Sequence, residues 1–191
     1  MTALVCAPAN PTVELVARQA PLADVSGTVR VDGRPRKDVV VWLEGPAAPV
    51  APETRTAVLD QRNLEFAPRV LAVQAGTRVE MPNNDRVFHN VFSFKDGKQF
   101  DLGLYPVGTT RAVNFDRPGL ARIFCNIHPN MAAYVLAVDA AYFAVTNAEG
   151  RFTIRGVPVG AATYHAWRPG ADARTGPIEV GGGLVLEIVW P

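Results

Sequence analysis

Two segments of this chain carry side chains that bind soft metal ions. Cys125, His128 and Met131 lie within one short run. His89 lies upstream in a second segment. A thiolate and a thioether favour Cu(I), and imidazole binds both Cu(I) and Cu(II). Two imidazole nitrogens, one thiolate sulfur and one weak thioether form the ligand set of a type 1, or blue, copper site. The residue types therefore predict one bound copper ion.

The loop after Cys125 favours a rigid site. Residues 121–125 read Ala-Arg-Ile-Phe-Cys and predict a strand that ends at the cysteine. His128 and Met131 follow on a short loop, and Pro129 fixes φ beside His128 and limits how far the loop relaxes. A site held in this way changes little in geometry when an electron moves, and it leaves no coordination position for a substrate.

The second segment places His89 on a different strand. The polar run at residues 83–85 is a turn signal, and residues 88–94 predict the strand that follows it. Asn90 comes directly after the histidine and is placed to tie the ligand segments together by hydrogen bonds. The site should therefore bridge two parts of a β-sandwich.

The histidine content limits the chain to one such site. The chain has three histidines, and the predicted site uses two of them. Multicopper oxidases and copper nitrite reductases need additional histidine-rich copper sites, so the chain is predicted not to be an enzyme. The third histidine, His165, is predicted to be an ordinary strand residue. Zinc is the alternative metal, but structural zinc sites prefer four Cys or His ligands and rarely use Met.

Composition argues against two classes of function. The 19 basic and 18 acidic residues give a net charge of +1, and no basic stripe supports nucleic-acid binding. No apolar stretch reaches the roughly 18 residues needed to span a bilayer. With 48% hydrophobic residues among 191, the chain can bury a core as one large domain or two small ones.

The pattern of short β-branched runs predicts an all-β fold. Gly and Pro number 16 each and are scattered between these runs, as expected for strands joined by turns. One short helix is predicted at residues 10–19. The predicted strands are residues 25–31, 39–43, 70–74, 77–81, 88–94, 110–115, 121–125, 134–138, 142–146, 151–154, 161–167 and 184–189.

The two ligand segments resemble those of cupredoxins, the family of plastocyanin, amicyanin and pseudoazurin. Residues 83–94 and 124–131 carry the resemblance, and the Cys-x2-His-Pro-x-Met loop is most similar to that of amicyanin. The resemblance covers roughly residues 57–139 and implies a Greek-key β-sandwich with one type 1 copper. It implies that Asn90 holds the ligand segments by hydrogen bonds and does not itself bind the metal. The ligands that it implies are His89, Cys125, His128 and Met131.

The resemblance also implies a surface for redox partners. In cupredoxins the edge of one copper-bound histidine lies near the surface inside an apolar patch, and here that histidine would be His128. Such a protein carries electrons between redox partners, here a cytochrome or a dehydrogenase, in the periplasm or another exported location. A binding module, or copper storage or delivery, is the alternative. The residues predicted to contribute to the patch are Leu104, Tyr105, Pro106, Pro129 and Asn130.

The flanks resemble a second family, the carboxypeptidase regulatory-like domains with their transthyretin-like sandwich. Residues 26–35 and 39–43 match its opening, but the Thr-x3-Gly-x-Phe hairpin expected next appears only at residues 146–152. The pattern predicts a sandwich split by an inserted cupredoxin, since an exposed hairpin tolerates insertion when its ends lie close together. A cupredoxin with added terminal strands is the alternative. The predicted domains are residues 23–52 with 140–191 for the split sandwich, and 53–139 for the cupredoxin.

The N-terminal segment, residues 1–22, is compatible with the end of an export signal. Its first nine residues are apolar but lack the basic start of such a signal. Cys6 could in principle form a disulfide with Cys125, although the predicted copper site gives Cys125 another use.

Overall fold

The computed structural model describes residues 20–45, 55–94 and 97–191. Every regular element in these ranges is a β-strand, which confirms the predicted all-β class. Among the described residues there is no helix that could cross a membrane. Residues 1–19, with Cys6 and the predicted helix, lie outside the described ranges.

Eighteen strands follow one another along the described chain. The first nine are β1 (Leu22–Val31), β2 (Arg34–Pro35), β3 (Val40–Glu44), β4 (Thr56–Val58), β5 (Asp60–Arg62), β6 (Glu65–Ala67), β7 (Val70–Gln74), β8 (Thr77–Pro82) and β9 (His89–Ser93). The other nine are β10 (Phe100–Tyr105), β11 (Thr110–Phe115), β12 (Gly119–Phe124), β13 (Ala132–Val138), β14 (Tyr142–Val145), β15 (Arg151–Pro158), β16 (Gly160–Trp167), β17 (Arg174–Val180) and β18 (Val185–Trp190).

Strands from both ends of the chain pair with one another, and we call this unit the outer sandwich. One sheet has the order β15–β1–β18, with β2 paired to β1, and the other has the order β14–β3–β16–β17. β1 runs antiparallel to β15 and parallel to β18. The two sheets enclose one core, which includes Val25, Val41, Phe152, Ile188 and Trp190.

Alternation along β1 shows how the sequence sets this packing. Val25, Gly27 and Val29 point inward, and both valines are fully buried. A Cβ atom on Gly27 would lie 2.4 Å from the carbonyl oxygen of Leu186 and 2.6 Å from the ring of Phe152. Glycine is therefore required where β15 and β18 close on β1.

Strands from the middle of the chain form a second unit, which we call the inner sandwich. A five-stranded sheet has the order β10–β9–β12–β13–β7, and a three-stranded sheet has the order β11–β8–β4. Both sheets contribute to one buried core, which includes Val79, Met81, Val91, Ile123 and Val135. The small hairpin β5–β6 joins this unit through a bridge between Gln61 and Asn83.

A third apolar cluster joins the two sandwiches. On β3, Val41 and Leu43 face the outer core, whereas Val40 and Trp42 face this junction. Val70, Leu136 and Val138 of the inner sandwich pack on the other side. β3 is therefore apolar on both faces, which explains its unbroken run of hydrophobic residues.

All the predicted strands are present, β7 and β11 with the predicted limits and the others with shifted ends. Six further strands were not predicted: β2, β4, β5, β6, β10 and β17. β10 lacks a simple alternation of buried and exposed residues. Its pairing with β9 shifts between Asp101 and Leu104, where Gly103 has a φ of 64°. One of these shifted ends involves a predicted ligand: β12 ends at Phe124, and Cys125 is the first residue of the loop.

Candidate metal centre

Two neighbouring strands and one tight loop bring the predicted ligands together. His89 is the first residue of β9, and Cys125 follows β12, which pairs with β9 through Phe124 and Phe92. The loop after Cys125 closes on itself. Met131 N–H donates to the His128 carbonyl at 2.9 Å, and Cys125 N–H donates to the Met131 carbonyl at 3.3 Å.

Three of the predicted ligand atoms form a compact triangle. His89 Nδ1 lies 3.1 Å from His128 Nδ1, and Cys125 Sγ lies 3.9 Å and 3.6 Å from these two nitrogens. A triangle with these sides has an in-plane point about 2.1 Å from each corner, close to typical metal bonds of about 2.0–2.1 Å to imidazole and about 2.3 Å to thiolate. These three side chains can therefore hold one metal ion.

The centre is largely closed to solvent. His89 is 0% exposed and Cys125 is 4% exposed, while His128 is partly exposed. Cys125 is a free thiol in the described part of the chain. Met131 is 1% exposed and belongs to the same core cluster as Cys125. The fourth predicted ligand is therefore buried in the core that lines the centre.

Asp85 contacts a predicted ligand, and the sequence had not marked it as a site residue. His89 Nε2 lies 3.0 Å from Asp85 Oδ2, so the ring nitrogen that points away from the triangle meets a carboxylate. The same carboxylate accepts hydrogen bonds of 2.7 Å from the N–H groups of Leu64 and Arg86. The four-residue spacing from Asp85 to His89 is the available signal in the sequence, but Asp85 also belongs to the polar run at residues 83–85 that predicts a turn.

Hydrogen bonds keep Asp85 ionised. Burial acts to raise the pKa of Asp85, but the N–H donors of Leu64 and Arg86, together with His89, lower that pKa to about 2. The centre therefore has a negative charge directly behind His89 across the neutral pH range.

Asn90 links three segments around the centre. Its Oδ1 accepts a 3.4 Å hydrogen bond from the N–H of Asn126, the residue after Cys125. Its Nδ2 donates to Asp101 Oδ1 at 2.8 Å. Asn90 therefore connects β9 with the ligand loop and with β10.

One member of the predicted surface patch was wrong. Tyr105 is fully buried, because the alternation of β10 turns it into the core while Leu104 points outward and is 54% exposed. Tyr105 O–H donates to the Met81 carbonyl at 2.9 Å and accepts a hydrogen bond from Gln61 Nε2. Burial raises the pKa of Tyr105 to about 12. Pro106, Pro129 and Asn130 are exposed.

Four further exposed apolar residues lie on or beside the ligand segments. Val87 and Phe88 directly precede His89, Ile127 directly precedes His128, and Val107 lies in the turn after β10. With Leu104, Pro106 and Pro129 they form what we call the ligand-end surface. Sequence reasoning had no way to tell which apolar residues of these loops point outward.

His165 lies apart from this centre, on β16 of the outer sandwich. Its Nε2 lies 3.0 Å from Glu44 Oε2, and its ring stacks on Trp42 with centroids 5.0 Å apart. Within the described ranges, the only cluster of ligating side chains that could hold a metal ion is that of His89, Cys125 and His128.

No protein-family model matches the sequence, and no curated protein matches it at a significant level. Solved structures similar to this chain include cupredoxins. A purple cupredoxin from Nitrosopumilus maritimus is 24% identical over 43% of this chain and 99% of its own length, with a TM-score of 0.40. An amicyanin variant is 22% identical over 53% of this chain and 99% of its own length, with a TM-score of 0.40. A copper-containing nitrite reductase from Thermus scotoductus SA-01 is 23% identical over 49% of this chain and 25% of its own length, with a TM-score of 0.43.

Proposed function

We propose that this protein is an electron carrier with one type 1 copper ion bound by His89, Cys125, His128 and Met131. The observation that carries the proposal is the triangle of two Nδ1 atoms and one Sγ atom around a point about 2.1 Å from each. Thiolate and imidazole donors suit copper or zinc rather than a hard cation, and a thioether such as that of Met131 as the fourth donor favours copper. Copper bound here would supply a one-electron couple between Cu(I) and Cu(II).

The protein's own contribution is a rigid ligand frame. His89 is held by β9 and by Asp85, and Cys125 is held by the end of β12 and by the backbone hydrogen bonds of its loop. Little rearrangement of such ligands is needed when an electron moves. The burial of His89, Cys125 and Met131 disfavours copper delivery, which calls for exposed and exchangeable ligands.

The electron would enter and leave near His128. It is the least buried of the four proposed ligands, and its neighbours Ile127 and Pro129 belong to the ligand-end surface. An exposed patch of apolar residues is typical of a protein interaction site. We propose a redox protein, a cytochrome or a dehydrogenase, as the partner that docks there. An exported location such as the periplasm belongs to the same proposal and rests on the resemblance to cupredoxins.

We also propose that the copper-binding unit is an insertion in a carboxypeptidase regulatory-like sandwich, with limits near residues 53 and 139. The pairing of β1 with β15 and β18 supports this division, since strands from both ends of the chain share one sheet. The separate core of the inner sandwich supports it as well.

Addition of Cu(II) to the metal-free protein tests the copper assignment. An intense blue thiolate-to-copper absorption is expected, and it should vanish in Cys125→Ser. The matched control is His165→Gln, which removes the histidine outside the cluster and should keep the colour. A colourless complex with the unaltered protein, or a blue Cys125→Ser variant, would overturn the proposal.

Repeated reduction and reoxidation tests the carrier role. Copper should stay bound through many cycles in the presence of a competing Cu(I) chelator. Loss of copper to the chelator on reduction would favour storage or delivery over electron transfer.

A further inference from the structure

We propose that Asp85 is a positioning residue that orients His89 for the metal and biases the centre toward Cu(II). This inference rests on the proposed copper site and extends it, because it names a residue outside the ligand set that lowers the reduction potential.

The first step concerns the tautomer of His89. An ionised carboxylate only accepts hydrogen bonds, so Asp85 Oδ2 at 3.0 Å requires a proton on Nε2 of His89. A neutral imidazole carries one N–H, so its Nδ1 then presents a lone pair. That lone pair points into the triangle, toward Cys125 and His128. The carboxylate therefore prepares His89 as a ligand before any metal arrives.

The second step concerns the fixed position of the carboxylate. The side chain of Asp85 is 9% exposed, and the N–H groups of Leu64 and Arg86 bind its two oxygens from different sides. Leu64 lies in the two-residue turn between β5 and β6 with a φ of 59°, a conformation that a leucine rarely adopts. This unusual backbone directs its N–H at Asp85 Oδ2.

The β5–β6 hairpin holds the loop of Asp85 as well as its side chain. Asn84 N–H donates to the Gln61 carbonyl at 3.0 Å, and Asn84 Nδ2 donates to Asp60 Oδ1 at 2.9 Å. The hairpin therefore fixes the position of the carboxylate that contacts His89.

The third step concerns charge. A carboxylate that accepts the N–H of a ligand imidazole increases the basicity of that ligand. A fixed negative charge close to a weakly solvated centre also stabilises the more positive oxidation state. Both effects favour Cu(II) over Cu(I), so Asp85 lowers the reduction potential of the centre.

The test compares Asp85→Asn with Asp60→Asn in the full chain. Asparagine in place of Asp85 keeps the shape and an oxygen acceptor but removes the charge. Asp60 lies on the same hairpin, and the structure records no contact between Asp60 and His89. Asparagine in place of Asp60 keeps an oxygen acceptor for Asn84 Nδ2, so Asp60→Asn removes a nearby charge without releasing the loop of Asp85. Cu(II) and Cu(I) affinities and the reduction potential are measured for both variants and for the unaltered protein.

Asp85→Asn should weaken Cu(II) binding about 10- to 100-fold and Cu(I) binding much less. Each tenfold loss of Cu(II) affinity relative to Cu(I) affinity raises the reduction potential by about 59 mV. Asp60→Asn should leave the ratio unchanged. Equal losses for Cu(I) and Cu(II), or a potential shift no larger than that of Asp60→Asn, would overturn the role of Asp85.

A measurement on the unaltered protein keeps the inference testable if Asp85→Asn does not fold. Imidazole nitrogen NMR of the metal-free and Cu(I) forms should show the His89 proton on Nε2 in both. A proton on Nδ1 in the metal-free form would contradict the proposed tautomer. Failure of the unaltered protein to turn blue with copper would overturn the proposed function instead, so the two failures are distinct.

Discussion

His89 and His128 face each other through their Nδ1 atoms at 3.1 Å, with ring planes 65° apart. Two imidazole nitrogens at this distance are stable only if one donates a proton to the other or if both bind the same cation. The hydrogen bond from His89 to Asp85 occupies the other nitrogen of the first ring. The arrangement of these rings is therefore suited to a shared metal ion.

Met131 should tune the potential without being essential for copper retention. Met131→Leu removes a weak sulfur donor and should raise the potential, whereas Met131→Gln supplies an oxygen donor that favours Cu(II) and should lower it. Either change is close in volume, so the cost in folding stability should stay below about 1.5 kcal/mol for the leucine variant. Voltammetry of the copper-loaded variants measures the effect.

Met81→Leu is the control for this pair. Met81 is also fully buried in the same core cluster, but it lies on β8 outside the ligand segments. A potential shift in Met81→Leu as large as that in Met131→Leu would show that Met131 acts through packing alone.

Asn90→Ala should loosen the ligand loop. The change removes the acceptor of Asn126 N–H and the donor to Asp101, and loss of a partly buried hydrogen-bonding partner costs about 1–3 kcal/mol. Copper should also dissociate faster, because the loop of Cys125 loses its tie to β9. Stopped-flow release to a chelator measures this rate.

Asn147→Ala provides the comparison for Asn90→Ala. Asn147 Oδ1 accepts from the N–H groups of Glu149 and Arg151 in a hairpin of the outer sandwich. Asn147→Ala should therefore lower the free energy of unfolding without changing the rate of copper release. Equal release rates in the two variants would argue against a role for Asn90 at the site.

Gly27→Ala should destabilise the outer sandwich. The added methyl group would meet the Leu186 carbonyl oxygen at 2.4 Å, and crowding of this kind costs about 1–3 kcal/mol. Chemical denaturation measures the loss. Gly181→Ala should be close to neutral, since nothing lies within 4 Å of its added Cβ. A neutral Gly27→Ala would mean that β1, β15 and β18 do not close as described.

Stability should fall in alkaline solution because of Tyr105. Burial raises the pKa of Tyr105 to about 12 from an ordinary value of 10.0, so the folded protein holds the phenol proton more tightly than the unfolded chain. The stabilisation is complete below pH 10 and is lost as the pH rises through about 12. The decrease in the free energy of unfolding should approach about 2–3 kcal/mol.

Urea denaturation of the metal-free protein at pH 9 and pH 11 measures this dependence. Tyr105→Phe should be less stable at pH 9, since Gln61 Nε2 and the Met81 carbonyl each lose one of their hydrogen-bond partners. The free energy of unfolding of Tyr105→Phe should decrease less between pH 9 and pH 11 than that of the unaltered protein. An equally steep decrease would assign the alkaline loss to other groups.

Much of the fold and three members of the candidate site could be predicted because they depend on short-range patterns. The β-branched runs identify strands such as β3, β7 and β11, and β1 alternates with period 2 as a half-buried strand does. The loop from Cys125 to Met131 is short enough for residue types and spacing to limit its geometry. Strands with irregular pairing, such as β10 around Gly103, lack such a pattern and were missed.

Residue types and spacing alone were sufficient to predict the all-β class and the grouping of His89, Cys125 and His128, because the strand patterns and the two ligand segments are each local in the chain. Tertiary structure decided how His89 is used: the hairpin that carries Leu64 fixes Asp85 against its Nε2, and this is a contact between segments distant in sequence. It also decided that Tyr105 is buried and Leu104 exposed, because the shifted pairing of β10 sets which side chain meets the core. Side-chain direction depends on strand register and on partners across the sheet, and neither can be read from a residue's own neighbours.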